Sequence, residues 1–135
     1  MTDRRRALAD ALAALAPERA VEVGVGRRPD VAAALAERGR AVTATDVVAR
    51  DVPEGVAFVR DDATDPDPAV YAEADLVYAL NCPPELQRPL VAIAERAGAA
   101  WAFTTLGADP AVVEAAPRTL PGDTLFTVPD RVPRV

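Results

Sequence analysis

The sequence predicts an α/β fold built on a doubly wound, mainly parallel sheet. Short apolar, β-branched runs alternate with stretches in which apolar residues recur at helical spacing, a pattern typical of helices covering a parallel sheet. Apolar residues make up 50% of the chain and aromatic residues only 4%, which suits strands buried on both faces. A glycine turn, Gly24-Val25-Gly26, separates the first apolar run from a helix start, so a ligand can approach bare backbone there.

The first third of the chain predicts a helix followed by a strand–helix–strand unit. Apolar residues at helical spacing indicate a helix over Arg4–Leu15. The run Arg19–Val23 predicts a strand, and a second helix begins near Pro29 and ends at Gly39, since these residue types favour those positions. The β-branched run Ala41–Asp46 predicts the second strand. Such a unit has a right-handed crossover.

The middle of the chain continues this alternation. We expect further strands at Val56–Val59, Ala74–Leu80 and Ala100–Thr105. A weak helix is expected over Pro66–Glu73 and a clear amphipathic one over Glu85–Ala97. The five parallel strands are then expected in the order 3-2-1-4-5.

The last part of the chain carries weaker signals. They favour a short helix over Ala111–Ala115, a turn at Pro121-Gly122, and a final edge strand over Thr124–Val128, antiparallel to its neighbour. The residues Arg131–Val135 are expected to form a loose tail. We therefore expect a single domain over residues 1–135, with one short extra C-terminal edge strand.

The composition excludes several kinds of chemistry. The 135 residues include no histidine and no lysine, which excludes histidine acid–base catalysis, Schiff-base chemistry and a Walker A phosphate loop. Most catalytic zinc sites are excluded for the same reason, and we predict no metal site. Cys82 is the only cysteine, so no internal disulfide can form.

The net charge and the hydropathy of the sequence indicate which partners and which cellular location to expect. A net charge of -6 argues against nonspecific nucleic-acid binding through a basic face. The sequence offers no apolar stretch of the ~18 residues that a membrane span needs, and no secretory signal. We therefore expect a cytoplasmic protein without a membrane association. An acidic, lysine-free chain rich in Ala and Val resembles proteins of halophilic microbes with GC-rich genomes.

The glycine turn and Asp46 are the first candidate ligand contacts. Asp46 ends the second predicted strand, 22 positions after Gly24, where a carboxylate can accept hydrogen bonds from a ribose diol. It would repel a 2′-phosphate and so disfavours NADP, although Arg50 lies nearby in the sequence. A dinucleotide fingerprint needs a third glycine three residues after Gly26, and Pro29 occupies that position. A tight turn without a ligand is the alternative.

Carboxylates near the other strand ends are further candidates. Asp62, after the third strand, could contact an adenine amino group, with Asp61 as the competing residue and a solvated acidic loop as the alternative. Glu22 lies within the first strand, where a buried carboxylate must find a partner. It could orient the glycine turn, contact a ligand ammonium, or have a purely structural role.

Four polar residues near the ends of the predicted strands are also candidate ligand contacts. Arg27 and Arg28 lie near a helix N-terminus and could bind a carboxylate or a phosphate, or form a solvated pair. Thr104 and Thr105 end the fifth strand and could line the cleft.

Four segments together resemble the successive motifs of class I S-adenosylmethionine-dependent methyltransferases: Val21–Gly26, Asp46, Asp62–Thr64 and Asn81. The resemblance covers roughly Val21 to Thr105. It implies that Glu22, Gly24 and Gly26 border the methionine part of the cofactor. It also implies that Asp46 contacts the ribose and Asp62 the adenine.

Asn81-Cys82-Pro83-Pro84 is similar to the Asn-Pro-Pro-aromatic motif of amino-methylating enzymes. Cys82 is inserted and Glu85 replaces the aromatic residue. The resemblance makes Asn81 a candidate for holding a methyl acceptor. A rigid proline turn that opens the following helix is the alternative.

Almost the whole chain resembles UPF0146, a family of uncharacterised archaeal proteins. The resemblance rests on the glycine turn with its Arg and Pro-Asp, on the strand end Thr45-Asp46, on Leu80–Leu86, and on Phe103–Gly107. It implies a Rossmann-like fold and brings no established activity.

Three functions are consistent with these observations. The first is an S-adenosylmethionine-binding protein or methyltransferase, since methyl transfer depends on alignment more than on acid–base residues. The second is an NAD-type binder, and the third a non-catalytic domain that binds a protein partner through its Asn81 turn. The first two imply a small nucleotide-type ligand. The short C-terminal region is compatible with a homodimer.

Overall fold

The structure, a computed structural model, describes residues 1–129; the predicted tail Arg131–Val135 lies outside this part. Its elements in chain order are α1 (Asp3–Leu15), β1 (Arg19–Glu22), α2 (Asp30–Glu37), β2 (Ala41–Asp46), β3 (Val56–Arg60), α3 (Pro68–Tyr71), β4 (Leu76–Ala79), α4 (Pro84–Ala97), β5 (Ala100–Phe103), β6 (Ala116–Leu120) and β7 (Asp123–Thr127).

The seven strands form one sheet in the order β3-β2-β1-β4-β5-β7-β6. Strands β1 to β5 are parallel, which confirms the predicted order 3-2-1-4-5 and the Rossmann-like architecture. In the central strand, Val21 pairs with Thr43 of β2 on one side and with Val77 of β4 on the other. Strands β2 and β3 are added on one side of β1, and β4 and β5 on the other. The carboxyl ends of β1 and β4 therefore form the topological switch point where such sheets bind ligands.

Helices α1 and α2 cover one face of the sheet. Thr2 caps α1 by accepting a hydrogen bond from the Arg5 amide over 3.2 Å. Leu8 and Leu12 recur at helical spacing and are buried in the same cluster as Leu35 of α2. The packing of these leucines holds α1 across the sheet.

The other face carries α3 and α4. Leu90 and Ile93 of α4 pack in a cluster with Val77, Trp101 and Phe103 of the neighbouring strands. The helix begins after a proline and ends at a glycine in the left-handed conformation, as its sequence predicts. Helix α3 has only four residues and begins at Pro68, one of the prolines of the predicted weak helix.

The C-terminal part differs from the prediction in two respects. Residues 111–115 form no helix. Fully buried Gln87 fixes this segment instead, because its Oε1 accepts from the Val112 amide over 2.6 Å and its Nε2 donates to the Pro110 carbonyl over 3.0 Å. The predicted last strand is β7, which pairs with β5, and an additional strand, β6, forms the edge of the sheet.

No helix among residues 1–129 is both long and apolar enough to cross a membrane.

Candidate functional site

The glycine turn follows β1 and adopts a conformation that favours glycine. Gly24 and Gly26 have φ angles of 71° and 60°, in the left-handed region that side chains disfavour. A Cβ added at either position would meet no atom within 4 Å, so backbone conformation and not crowding selects glycine. Between them, Val25 is buried and its amide donates to the Thr45 carbonyl over 2.9 Å. That bond attaches the turn to β2.

The carboxylate of Asp46 is fixed against this turn. Its Oδ2 accepts a hydrogen bond from the Gly26 amide over 2.9 Å, and its Oδ1 lies 3.4 Å from the Val48 amide. Partial burial opposes ionisation, but these amides and the nearby charge of Arg50 outweigh it and hold the pKa of Asp46 below its usual range. Asp46 is therefore an ionised carboxylate beside the glycine turn.

Arg50 adds an unsatisfied donor to the same place. Its Nε lies 3.3 Å from Asp46 Oδ2. That nitrogen is nevertheless buried and has no partner in hydrogen-bonding geometry among the described residues. Buried donors without an acceptor are rare and costly. A ligand hydroxyl at this position could accept from Arg50 and donate to Asp46.

Glu22 is enclosed below the turn and does not project from it. Its side chain is 1% exposed, and its Oε1 accepts a hydrogen bond from the Tyr78 hydroxyl over 2.7 Å. Burial raises the pKa of Glu22 to about 7, against the effect of the Tyr78 hydrogen bond. The main-chain carbonyl of Glu22 accepts from the Thr45 hydroxyl over 3.1 Å. Through these contacts Glu22 links β1 to both of its neighbouring strands.

The structure distinguishes the two aspartates that follow β3. Asp61 Oδ2 accepts from the Tyr71 hydroxyl over 2.8 Å and its Oδ1 from the Asp67 amide over 3.0 Å, so Asp61 fixes α3. Asp62 is exposed and uses Oδ1 to accept from the amide and the hydroxyl of Thr64. These bonds lower the pKa of Asp62. Asp62 thus keeps an exposed, ionised carboxylate, whereas both carboxylate oxygens of Asp61 accept hydrogen bonds within the fold.

The Asn81 turn follows β4 in an unusual conformation. Asn81 has a φ of 51°, and no other non-glycine residue in the described chain has a positive φ. Asparagine tolerates this region better than most residues. Its amide donates to Thr104 Oγ1 over 2.9 Å, while the Cys82 amide donates to the Thr104 carbonyl over 2.8 Å. The turn is held against β5 and its Asn81 side chain is exposed.

Cys82 lies below this turn and is not a candidate nucleophile. It is 3% exposed, and burial raises the pKa of its thiol to about 11. The thiol form therefore predominates at neutral pH.

The strand order places these turns along one edge of the sheet. Since the carboxyl ends of parallel strands share an edge, Asp62, Asp46, the glycine turn and Asn81 follow β3, β2, β1 and β4 in succession. Their amides and carboxylates can contact an extended ligand across these strands. Glu22 supports this edge from inside the sheet.

A cavity of about 600 Å³ continues the same edge towards β5 and β7. It is lined by Met1, Thr2, Arg4, Arg5, Arg28, Asp30, Asn81, Thr104, Thr105, Leu106, Gly107 and Asp123. The sequence suggested Arg28, Asn81 and the two threonines as candidates but missed Arg4 and Arg5. Their place follows from the packing of α1 across the sheet, for which the local sequence carries no signal.

The fold defines a Rossmann-like α/β protein in which the turns after the parallel strands lie along one edge of the sheet. The model of the Uncharacterised protein family (UPF0146) matches residues 6–130, and the chain belongs to this family. It is similar to a UPF0146 protein of Halobacterium salinarum, with 61% identity over 116 residues, which is 85% of this chain and 90% of the relative. A UPF0146 protein of Archaeoglobus fulgidus is 46% identical over 92 residues, 68% of this chain and 71% of that protein.

The fold is also similar to that of solved methyltransferases. An RNA methyltransferase from Salinibacter ruber, solved in complex with S-adenosyl-L-homocysteine, has a TM-score of 0.62 at 18% identity, covering 95% of this chain and 94% of that chain. At this identity the likeness concerns the fold alone. It confirms the architecture expected from the resemblance to class I methyltransferases.

Proposed function

We propose that this protein binds S-adenosylmethionine at the edge formed by the turns after β1, β2 and β3. One observation carries the proposal: an ionised Asp46 is fixed on the Gly26 amide and paired with a buried Arg50 nitrogen that has no partner in hydrogen-bonding geometry among the described residues. A vicinal diol complements this arrangement, since each hydroxyl can both donate and accept.

We expect different residues of this edge to contact the ribose, the methionine part and the adenine of the ligand. Asp46 Oδ1 keeps free acceptor capacity for a ribose hydroxyl, because its contact to the Val48 amide is long at 3.4 Å. Gly24 and Gly26 border the methionine part, where their lack of side chains admits the ligand to the backbone. Asp62 has an oxygen available for the adenine amino group. Glu22 positions the turn from below.

Methyltransferase activity is consistent with the residues present. Bound S-adenosylmethionine supplies an electrophilic methyl group, and its transfer depends on proximity and alignment with the acceptor. The chain has no histidine or lysine to act as a base. Its contribution would be to position two ligands, with Asn81 as the candidate contact for the acceptor. The similar Salinibacter fold, solved with S-adenosyl-L-homocysteine, is compatible with this function.

NAD is the second candidate ligand, because Asp46 would serve the ribose of an NAD adenosine equally well. A Rhodobacter sphaeroides protein described as a Zn-dependent alcohol dehydrogenase has a related fold, with a TM-score of 0.58 at 20% identity over 78% of this chain and 48% of that chain. Pro29 weighs against NAD, since a dinucleotide site places its third glycine there.

Isothermal titration with S-adenosylmethionine, S-adenosylhomocysteine, NAD and NADP tests the proposal. High salt is used because it screens the self-repulsion of the acidic chain. We expect the first two ligands to bind, and Asp46→Asn to weaken them by about tenfold or more, since it removes the charge from these hydrogen bonds.

Asp51→Asn is the matched control. Asp51 is an exposed aspartate in the loop after β2, and its side chain forms no hydrogen bond within residues 1–129. It should leave the affinities unchanged. Binding of NAD alone would overturn the proposal, and a chain that binds none of the four would be better explained as a protein-interaction domain.

A further inference from the structure

The cavity beside the Asn81 turn is separate from the proposed adenosyl site. Asp46 ends β2 and Asp62 follows β3, whereas the cavity is lined from the turns after β4 and β5, from the start of β7 and from the start of α1. Arg28 and Asp30, just after the glycine turn, are part of the lining, so the cavity borders that turn. A ligand lying over β1 to β3 would therefore end next to this cavity without filling it.

The arginines that line the cavity differ in their pairing. Arg4 forms a bidentate contact with Asp123, its Nε and Nη2 donating over 2.8 and 2.9 Å. Arg5 Nε lies 3.4 Å from Asp30 Oδ2. Arg28 is exposed and makes no ion pair with any residue from 1 to 129. Both aspartates are thus engaged, and one guanidinium has its full set of donors available.

Additional donors converge on the same cavity. Thr104 is 3% exposed, and its Oγ1 accepts from the Asn81 amide. While it accepts this bond, the Thr104 hydroxyl can also donate. The carboxamide of Asn81 is exposed at the rim and forms no hydrogen bond with residues 1–129. This hydroxyl and this carboxamide can therefore both donate to the oxygens of a ligand in the cavity.

The charge of this lining contrasts with that of the whole chain. Three arginines and two aspartates face the cavity, in a protein of net charge -6. A guanidinium presents its donors in a planar fork that matches two oxygens of a carboxylate or a phosphate. Local positive charge also attracts anions from solution.

We propose that this cavity binds a second small molecule through a carboxylate or phosphate group, with Arg28 as its main contact and Thr104 and Asn81 as further donors. The anion site follows from the cavity itself. Its role as the site of a methyl acceptor rests on the proposed function, which would then use an anionic small molecule as its acceptor.

Amide-resolved NMR titration at constant ionic strength tests the site, with inorganic phosphate and acetate as probes in separate experiments. We expect saturable shifts of the Arg28, Asn81 and Thr105 amides. The stronger probe identifies the anion as phosphate-like or carboxylate-like. Arg28→Gln should weaken binding about tenfold, since it removes a charge-assisted bidentate contact.

Arg27→Gln is the matched control, because Arg27 is the neighbouring exposed arginine and is not among the residues that line the cavity. Both variants change an exposed side chain, and unchanged circular dichroism would establish that they fold. Equal effects of the two substitutions would overturn the proposal, as would shifts that rise linearly without saturation.

A second titration separates this site from the cofactor site. We expect S-adenosylhomocysteine to bind equally well with and without a saturating anion. Mutual exclusion would mean that Arg28 holds the carboxylate of the cofactor itself and would overturn the second site. If the anion binds saturably and S-adenosylhomocysteine does not bind at all, the anion site is supported and the proposed function fails.

Discussion

The hydroxyl of Tyr78 donates to Glu22 Oε1 over 2.7 Å inside the sheet. The two residues are direct register partners on the parallel strands β1 and β4, at the topological switch point of the sheet. Burial raises the pKa of both groups, to about 7 for Glu22 and well above its ordinary value for Tyr78. A titratable pair therefore lies directly below the glycine turn, in a place where most proteins of this size bury apolar side chains.

Glu22 should make the stability of the fold depend on pH near neutrality. Its pKa is about 7 in the folded chain against an ordinary value of 4.5, so the folded state binds more protons between these values. The free energy of unfolding should fall as pH rises from 4.5 to 7, by about 3 kcal/mol, and then level off. Denaturant unfolding at several pH values between 4.5 and 8.5 measures this decline.

Substituting Glu22→Gln isolates that contribution. Glutamine keeps an acceptor for Tyr78 and removes the charge, so the variant should be more stable than the parent at pH 8 and nearly equal to it at pH 5. Glu37→Gln is the control, because Glu37 is exposed on α2 and should not alter the profile. Parallel pH profiles of the parent and Glu22→Gln would show that Glu22 titrates normally.

Tyr78→Phe should destabilise the protein more at pH 8 than at pH 5. The substitution removes the hydroxyl that donates to Glu22, and a buried carboxylate without a donor costs more than a protonated carboxyl group. We expect a loss of about 1–3 kcal/mol above pH 7 and a smaller one in acid. Unfolding of parent and variant at both pH values measures the difference. An equal loss at both would mean that the hydroxyl contributes packing alone.

The architecture was largely predictable because most strands of the sheet are marked by a local sequence pattern. Strand β2 was predicted with its observed bounds, Ala41–Asp46, since a β-branched run stands between two turn signals. Strand β6 was missed because most of its side chains are exposed and Pro117 cannot donate to a neighbour. Proline is tolerated there since β6 is an edge strand.

The candidate site was predictable in position and much less so in contacts. The spacing from Gly24 to Asp46 places both at one edge, but it does not reveal that Asp46 bonds to the turn itself. The contact of Arg4 with Asp123 joins residues 119 positions apart. Such partners are set by how α1 packs on the sheet, and no local pattern encodes them.

Gly26→Ala should reduce both stability and ligand affinity. Alanine is strained at a φ of 60°, so we expect a loss of about 1–2 kcal/mol in the free energy of unfolding. The amide that binds Asp46 is retained. If the turn relaxes towards negative φ, however, that amide moves, and binding of S-adenosylmethionine weakens.

Gly39→Ala is the control, since Gly39 has a φ of 83° after α2 and lies away from the proposed site. It should reduce stability similarly and leave affinity unchanged. Equal affinities of the two variants would argue against a ligand at the turn.

Gln87→Leu should release the segment that precedes β6. The fully buried Gln87 amide forms the bonds to Pro110 and Val112, and leucine of similar volume would leave a backbone donor and an acceptor without partners. Each unsatisfied group costs about 1–3 kcal/mol, so we expect a loss of a few kcal/mol in stability and faster hydrogen exchange at the Val112 amide. Arg88→Ala removes only an exposed bond to the Val112 carbonyl and should change both quantities little. Unaltered exchange at Val112 in Gln87→Leu would mean that β6 and β7 hold the segment without Gln87.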